Sequence, residues 1–260
     1  MAVKHSNFVH LHTHSQYSLL DGACRLDQLI ALAREYRMPA LAVTDHGNMF
    51  GAIEFYIKAN RAGIKPIIGI EAYVAGGSRF DKQPSNKYPD GGYHLVLLAR
   101  NLTGYKNLIK LSTAGFLEGF YHRPRIDKKL LREHAEGLLA SSACLKGEVN
   151  WHLLRGNTEA AVATAREYQD IFGEDNFYLE IQNHDLEPEL QLLPKIEAIS
   201  RETGIPMLAT NDCHYLRQQD YEAHDALLCI QTGKLVEDQD RMRYNTDQIY
   251  FKTAEEMEQA

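Results

Sequence analysis

Twelve histidines in 260 residues, against a single tryptophan, set this sequence apart, and their spacing is more informative than their number. His12-Thr13-His14 and Asp212-Cys213-His214 each carry two potential ligands two residues apart. In an extended chain residues i and i+2 share a side, so each pair could grip one ion. Thr44-Asp45-His46 again joins carboxylate and imidazole, and Glu71 interrupts the apolar run Ile67-Ile68-Gly69-Ile70-Glu71-Ala72-Tyr73-Val74. A buried carboxylate is costly without a partner, and a metal ion supplies one where histidines are near; a buried salt bridge is the alternative. His94 and Cys144, taken singly, fit ordinary burial, the first as a core imidazole bonded to backbone and the second as a small buried thiol. Imidazole, carboxylate and thiolate together suit Zn²⁺, with Mn²⁺ or Fe²⁺ as the alternatives. More donors than one tetrahedral ion can use imply about two to three ions. Clustered ions serve phosphoryl transfer, one generating hydroxide from water and its neighbour neutralising the phosphate and the departing oxygen. Phosphoester hydrolysis is therefore the expected reaction class. The P-loop, G-x-S-x-G and H-E-x-x-H patterns are absent. Asp238-Gln239-Asp240 sits in a charged stretch and is expected to be solvated surface.

Short β-branched or Leu-rich runs alternate with amphipathic stretches, the pattern of a parallel sheet covered by helices. Strands are expected at 8–12, 40–44, 66–73, 94–99, 137–141, 177–181 and 207–210, with helices at 26–36, 52–62, 105–116, 158–172 and 189–203. Prolines 39, 66 and 206 follow helix ends by a few residues, where they stop a helix at little cost. Most of the candidate ligands then fall at strand C-termini, the rim on which a barrel gathers its chemistry. His94, which begins its strand, is the exception. The Gly- and Pro-rich stretch 75–92 is a long loop of the kind that is usually functional or mobile. Beyond Gln218 a helix at 221–232, a charged loop at 237–244, a short strand at 248–251 and a helix start at 253–258 are expected. The organisation expected is one barrel domain over 1–260, with 218–260 an extension leading toward a further region.

A formal charge of 28 − 35 = −7, with 44% hydrophobic and 24% charged residues, excludes disordered and fibrous classes. No apolar run approaches the roughly 18 residues of a membrane span, and the start lacks a signal-peptide plan, so no membrane partner is expected. The four cysteines form no C-x-x-C pair, which fits a reduced, cytoplasmic setting. Net acidity argues against a broad surface for duplex DNA. A local basic stretch at 119–132 contains Arg123, Arg125, Lys128, Lys129 and Arg132, with Tyr121 available to stack on a base. Its alternative is a solvated connector on the face away from the ligands.

Longer strings carry a resemblance. His10-Leu11-His12-Thr13-His14-Ser15-Gln16-Tyr17-Ser18-Leu19-Leu20-Asp21-Gly22, Ala42-Val43-Thr44-Asp45-His46-Gly47-Asn48, Gly119-Phe120-Tyr121-His122-Arg123-Pro124-Arg125 and Ala209-Thr210-Asn211-Asp212-Cys213-His214-Tyr215 resemble the PHP (polymerase and histidinol phosphatase) domains that begin bacterial DNA polymerase III alpha subunits. Gln231-Thr232-Gly233-Lys234 and Ile249-Tyr250-Phe251 extend the resemblance to the tail. It implies a distorted seven-stranded (β/α) TIM-like barrel with three ions on nine residues. His12, His14, Glu71 and Asp212 would hold one ion, Glu71 would bridge to a second held by His94 and Cys144, and Asp21, His46 and His214 would hold the third. Spacing alone would make Asp21 an Asp-Gly turn residue. The implied activity is a 3′–5′ exonuclease that proofreads for the polymerase, with His12, His14, Glu71 and Asp212 acting through metal-activated hydroxide and Arg123, Arg125 and Tyr121 contacting DNA. The implied partners are a DNA 3′ end, preferably single-stranded, and the remaining domains of the alpha subunit. Two other readings compete: a structural module that braces the polymerase and docks a separate proofreading subunit, and a small-substrate phosphatase or pyrophosphatase.

Overall fold

The computed structural model describes residues 5–84, 88–89 and 91–260. Part of the expected loop 75–92, namely 85–87 and 90, lies outside the described residues. The strands are β1 (Ala40–Val43), β2 (Lys65–Val74), β3 (Tyr93–Ala99), β4 (Phe120–Tyr121), β5 (Arg123–Ile126), β6 (Leu138–Ser141), β7 (Phe177–Ile181) and β8 (Met207–Ala209). The helices are α1 (Leu26–Glu35), α2 (Ala52–Ala62), α3 (Leu102–Leu117), α4 (Lys128–His134), α5 (Glu148–Leu154), α6 (Thr158–Phe172), α7 (Glu187–Thr203), α8 (Tyr221–Thr232) and α9 (Ala254–Gln259).

Helix ends follow local chemistry. Asn101, Asp127 and Asn157 cap α3, α4 and α6 by accepting from backbone N–H groups, and Thr253 with Glu256 forms a reciprocal capping box on α9. Leu26, Leu29, Ile30 and Ala33 are buried on one face of α1, as their spacing requires. No periodicity announced α4 and α5, because seven residues span only two turns.

The sheet is mixed and curls into an open, distorted half-barrel of the TIM-like kind. β1 and β5 both run parallel to β2, at its two ends, and β6, β7 and β8 are parallel to one another in turn. β3 is antiparallel to both β2 and β6, which corrects the expectation of a wholly parallel sheet. The chain from β2 to β3 contains no helix among the described residues, and without a crossover helix it returns beside the strand it left. The reversal also accounts for His94. The start of β3 lies at the same rim as the end of β2, with Tyr73 opposite His94.

The expected strand 8–12 is not part of a regular ladder. Ala42 N–H bonds to His10 O at 3.0 Å and Thr44 N–H to Thr13 O at 2.9 Å, so three residues on one side match two on the other. Such an extra residue breaks regular pairing and bends the strand. On its far side the segment meets Cys213, through His14 N–H to Cys213 O at 2.8 Å and Cys213 N–H to His12 O at 3.2 Å. These bonds close the open side of the sheet. The expected strand at 248–251 is likewise reduced to one bridge, Tyr215 with Tyr250.

Alternation divides each strand between two environments. On β3, Tyr93, Leu95 and Leu97 join the main core under the helices, whereas Val96 and Leu98 pack inside the barrel with Ala42 and Ala143. On β2 the inward series is Ile67, Gly69, Glu71 and Tyr73, so the carboxylate stands one layer above the apolar plug. Gly69 has no room for a side chain, since a Cβ there would lie 2.7 Å from Leu97 O and 2.8 Å from a Thr44 methyl. Gly69→Ala is expected to cost about 1–3 kcal/mol by overpacking, measured by chemical denaturation. Gly77→Ala, with nothing within 4 Å, should stay within about 0.5 kcal/mol of the parent chain.

Candidate metal centre

Glu71 is 1% exposed, and four imidazoles and a thiol surround it. Oε1 lies 2.7 Å from His94 Nδ1, 3.4 Å from His12 Nε2 and 3.8 Å from Cys144 Sγ. Oε2 lies 2.5 Å from His46 Nδ1 and 3.6 Å from His14 Nε2. Asp212 Oδ1 faces the same histidine pair, 3.2 Å from His12 Nε2 and 3.0 Å from His14 Nε2. To one side, Asp21 Oδ2 approaches His46 Nε2 at 3.1 Å and Asp21 Oδ1 approaches His214 Nε2 at 3.9 Å. Cys144 Sγ is 3.6 Å from His94 Nδ1. All nine side chains that the resemblance nominated therefore converge on one place, and three triads of donor atoms fall within 4.8 Å of one another: His12, His14, Glu71; His46, Glu71, His94; and His14, His46, His214.

Whether ions fit can be asked of the polar atoms themselves. Among the described residues, seven buried side-chain nitrogens and oxygens have no partner in hydrogen-bonding geometry, and four of them, Asp21 Oδ1, His46 Nδ1, Glu71 Oε2 and Asp212 Oδ1, belong to this cluster, where they meet their neighbours only at ion-pair distance. Buried polar atoms are almost always partnered, so a cluster of exceptions calls for an ion or water. The donor set of imidazole, carboxylate and thiol fits divalent ions that accept nitrogen, oxygen and sulfur ligands.

Electrostatics agree. Burial works against charge on Glu71, yet the imidazoles of His94 and His46 hold its carboxyl well below the usual range. Asp212 is held down in the same way by His12 and His214. His12 is raised well above normal, against burial, by Asp212 and Glu180. Burial, together with the neighbouring His46 and His214 rings, pushes His14 down to about 3, so that Nε2 keeps its lone pair while Nδ1 faces Ser18. Burial and the charges of Glu71 and Asp212 push the Cys144 thiol far up, so it must lose a proton to become a ligand. The backbone is strained at the same rim, with positive φ at Ala143 (58°), before Cys144, and at Asp212 (41°).

Outer partners orient the donors. Glu180, 1% exposed on the inner face of β7, stands 2.6 Å from His12 Nδ1 and accepts from Ser141, Thr210 and Gln182. It fixes the ring with Nε2 toward the centre. Its signal in the sequence is Phe177-Tyr178-Leu179-Glu180-Ile181, where, as with Glu71, a carboxylate interrupts an apolar strand; the ligand motifs do not include it. Asp45 makes no ligand contact of its own. It accepts from Ser15 N–H, Ser15 Oγ and Ser18 Oγ, and Ser18 Oγ lies 2.9 Å from His14 Nδ1.

A pocket of about 120 Å³ opens beside the centre, lined by His46, His94, Cys144, Lys146, Asp212 and Tyr244. Tyr244 comes from the stretch after α8, and no local pattern announces it. The β4–β5 hairpin lies beside the end of β2: β5 pairs with Tyr73 and Val74, and the Arg123 guanidinium is 5.8 Å from the Tyr73 ring. Arg125, 2% exposed, is committed to the carbonyls of Gly119, Arg79 and Asp81, whereas Arg123 is exposed and Tyr121 half-buried. Lys128 and Arg132 are paired with Glu148 and Glu167.

Comparison with known proteins agrees with this geometry. The PHP domain family model matches residues 10–184. The chain is 50% identical over 253 residues to the DNA polymerase III subunit alpha of Thermus aquaticus, covering 96% of this chain and 21% of that protein. It is 46% identical over 256 residues to that of Treponema pallidum, covering 97% and 22%. It thus spans about a fifth of the length of these relatives. A solved two-domain protein of Bacteroides vulgatus, containing a predicted PHP-like metal-dependent phosphoesterase, matches with a TM-score of 0.50 at 16% identity over 87% of this chain and 55% of that one, a likeness of fold. No helix among the described residues is long and apolar enough to cross a membrane.

Two outcomes follow for the centre. Glu180→Gln should weaken metal binding by about 10–100-fold, measured by cobalt titration, because His12 loses its orienting carboxylate. Because Cys144 and the histidines must be deprotonated to bind, cobalt uptake should release protons and weaken as pH falls. Uptake with no proton release would contradict the assignment of Cys144.

Proposed function

The chain belongs to the PHP domain family, and we propose that its metal centre is that of a phosphoesterase acting as a 3′–5′ exonuclease, trimming DNA 3′ ends to proofread for a replicative polymerase. The observation that carries the reading is the convergence of nine potential ligand side chains, Glu71 among them, with oxygens of Glu71, Asp21 and Asp212 left without a partner in hydrogen-bonding geometry. A brace needs no such arrangement, since a buried carboxylate ringed by imidazoles stabilises a fold less well than apolar packing. The similarity to polymerase III alpha subunits supports DNA over a small phosphate ester as the substrate. On this reading the remainder of such a subunit is the covalent partner, and the compartment is the cytoplasm.

His12, His14, Glu71 and Asp212 would hold one ion, Glu71, His94 and Cys144 a second, and Asp21, His46 and His214 a third. Zinc is the first choice, with manganese or iron as alternatives. The bound ions would supply an activated water and neutralise the phosphate. The chain's own residues do the rest. Glu180 and Ser18 keep His12 and His14 aimed inward. Lys146 is exposed at the pocket wall, where its ammonium can meet a backbone phosphate, and Arg123 stands nearby on the hairpin with Tyr121 as a stacking surface.

With metal supplied, a 5′-labelled single-stranded oligonucleotide should shorten one nucleotide at a time. The rate should fall with salt, since phosphate contacts are ionic, and should exceed that on a fully paired end, where unpairing costs energy. Asp212→Asn should lower the rate at least about 100-fold while leaving the far-ultraviolet circular dichroism unchanged, since several donors sharing the ions act as one unit. Release of inorganic phosphate with no ladder would move the assignment to a small-substrate phosphatase.

A further inference from the structure

Tyr244 belongs to none of the ligand motifs, yet the stretch that carries it is fastened across the pocket. The Arg241 guanidinium makes two 2.6 Å bonds to Asp225 of α8. Tyr221 O–H donates to the Tyr244 carbonyl at 3.2 Å, Thr246 O–H to the His184 carbonyl at 2.7 Å and Asn211 Nδ2 to the Gln248 carbonyl at 2.8 Å. Between these ties the Tyr244 ring stands 5.1 Å from that of His214 and 5.7 Å from that of His224. The ring forms one wall of the pocket that His46, His94, Cys144 and Asp212 also line.

The hydroxyl is the informative atom. His214 Nδ1 lies 2.7 Å from the Asp212 carbonyl and must donate to it, which puts the ring's lone pair on Nε2. That lone pair, 3.4 Å from Tyr244 Oη, is the only hydrogen-bond partner of the phenol among the described residues. The same lone pair is what His214 would offer an ion, and it cannot serve both. Once it is taken, no other acceptor among the described residues lies within hydrogen-bond distance of the phenol, which is left free to donate to a group in the pocket it lines.

We infer that Tyr244 is a substrate-binding residue of the centre, its O–H donating to a non-bridging oxygen of the phosphoryl group. The inference rests on the phosphoesterase reading and not on the exonuclease in particular. Burial and the nearby charges of Asp21, Asp212 and Glu71 push the Tyr244 phenol well up, which makes a tyrosine hydroxyl serviceable here. It stays neutral and donates, where an arginine would pair with the carboxylates instead.

The test uses the 260-residue chain loaded with cobalt, with inorganic phosphate as the probe and a chromogenic phosphodiester as substrate. Tyr244→Phe should retain the parent's cobalt content and visible spectrum but bind phosphate about tenfold more weakly, the size expected for one hydrogen bond to a charged oxygen. Its turnover should fall without loss of metal. Tyr244→Ala, with cobalt retained, should bind phosphate no more tightly than Tyr244→Phe. Equal phosphate affinity in the parent and Tyr244→Phe would overturn the inference and leave Tyr244 as a wall. Loss of cobalt from Tyr244→Phe would overturn it too, making the residue a support for His214. Failure of the loaded parent to bind phosphate would sink the phosphoesterase reading itself, whereas equal binding by the two chains sinks only the role of Tyr244.

Discussion

One buried carboxylate sets the terms for the rest of this molecule. Glu71 lies inside the barrel at 1% exposure, and His12, His14, His46, His94 and Cys144 crowd its two oxygens. The His14 ring lies 4.1 Å from that of His46 and 4.3 Å from that of His214, and two unit charges about 4 Å apart repel by about 4 kcal/mol at an effective dielectric of about 20. The rings cannot all be cations together, yet Glu71, Asp212 and Asp21 need positive charge. Divalent ions would resolve the conflict, because each would concentrate charge between donors and leave the imidazoles neutral.

The distortions of the barrel follow from gathering so many donors at one rim. Reversal of β3 brings His94 to the mouth with Val96 and Leu98 still in the interior plug. The extra residue between His10 and Thr13 breaks the first strand but turns both His12 and His14 inward. Positive φ at Ala143 and Asp212 aims Cys144 and the Asp212 carboxylate at the centre. A regular eightfold barrel would bury these chains more cheaply. The centre is therefore bought with irregular backbone, and the apolar packing of the main core beneath the helices offsets that cost.

Much of this was legible along the chain, for reasons that differ by residue. Alternation revealed Glu71 because a carboxylate in an apolar strand has few structural uses, and i, i+2 spacing revealed His12 with His14 and Asp212 with His214. His94, Cys144 and Asp21 could be nominated only by resemblance, since each looks ordinary by itself. Helices with three or more turns were readable to within a few residues, and two short ones, α4 and α5, were not. The direction of β3 was hidden because strand polarity depends on what the connecting chain does in space. Tyr244 was hidden for a related reason: it reaches the pocket from a charged stretch more than 25 residues beyond the last ligand, held there by tertiary bonds that no pattern encodes.

The central claim is that the cluster around Glu71 is a multinuclear metal centre. Anomalous diffraction at the absorption edge of the loaded metal, on crystals of the 260-residue chain, tests it most directly. The account predicts at least two peaks on either side of the Glu71 carboxylate, each about 2.0–2.3 Å from imidazole, carboxylate or thiolate donors. Crystals grown with excess metal that show no peak there, or peaks only at surface histidines, would contradict it.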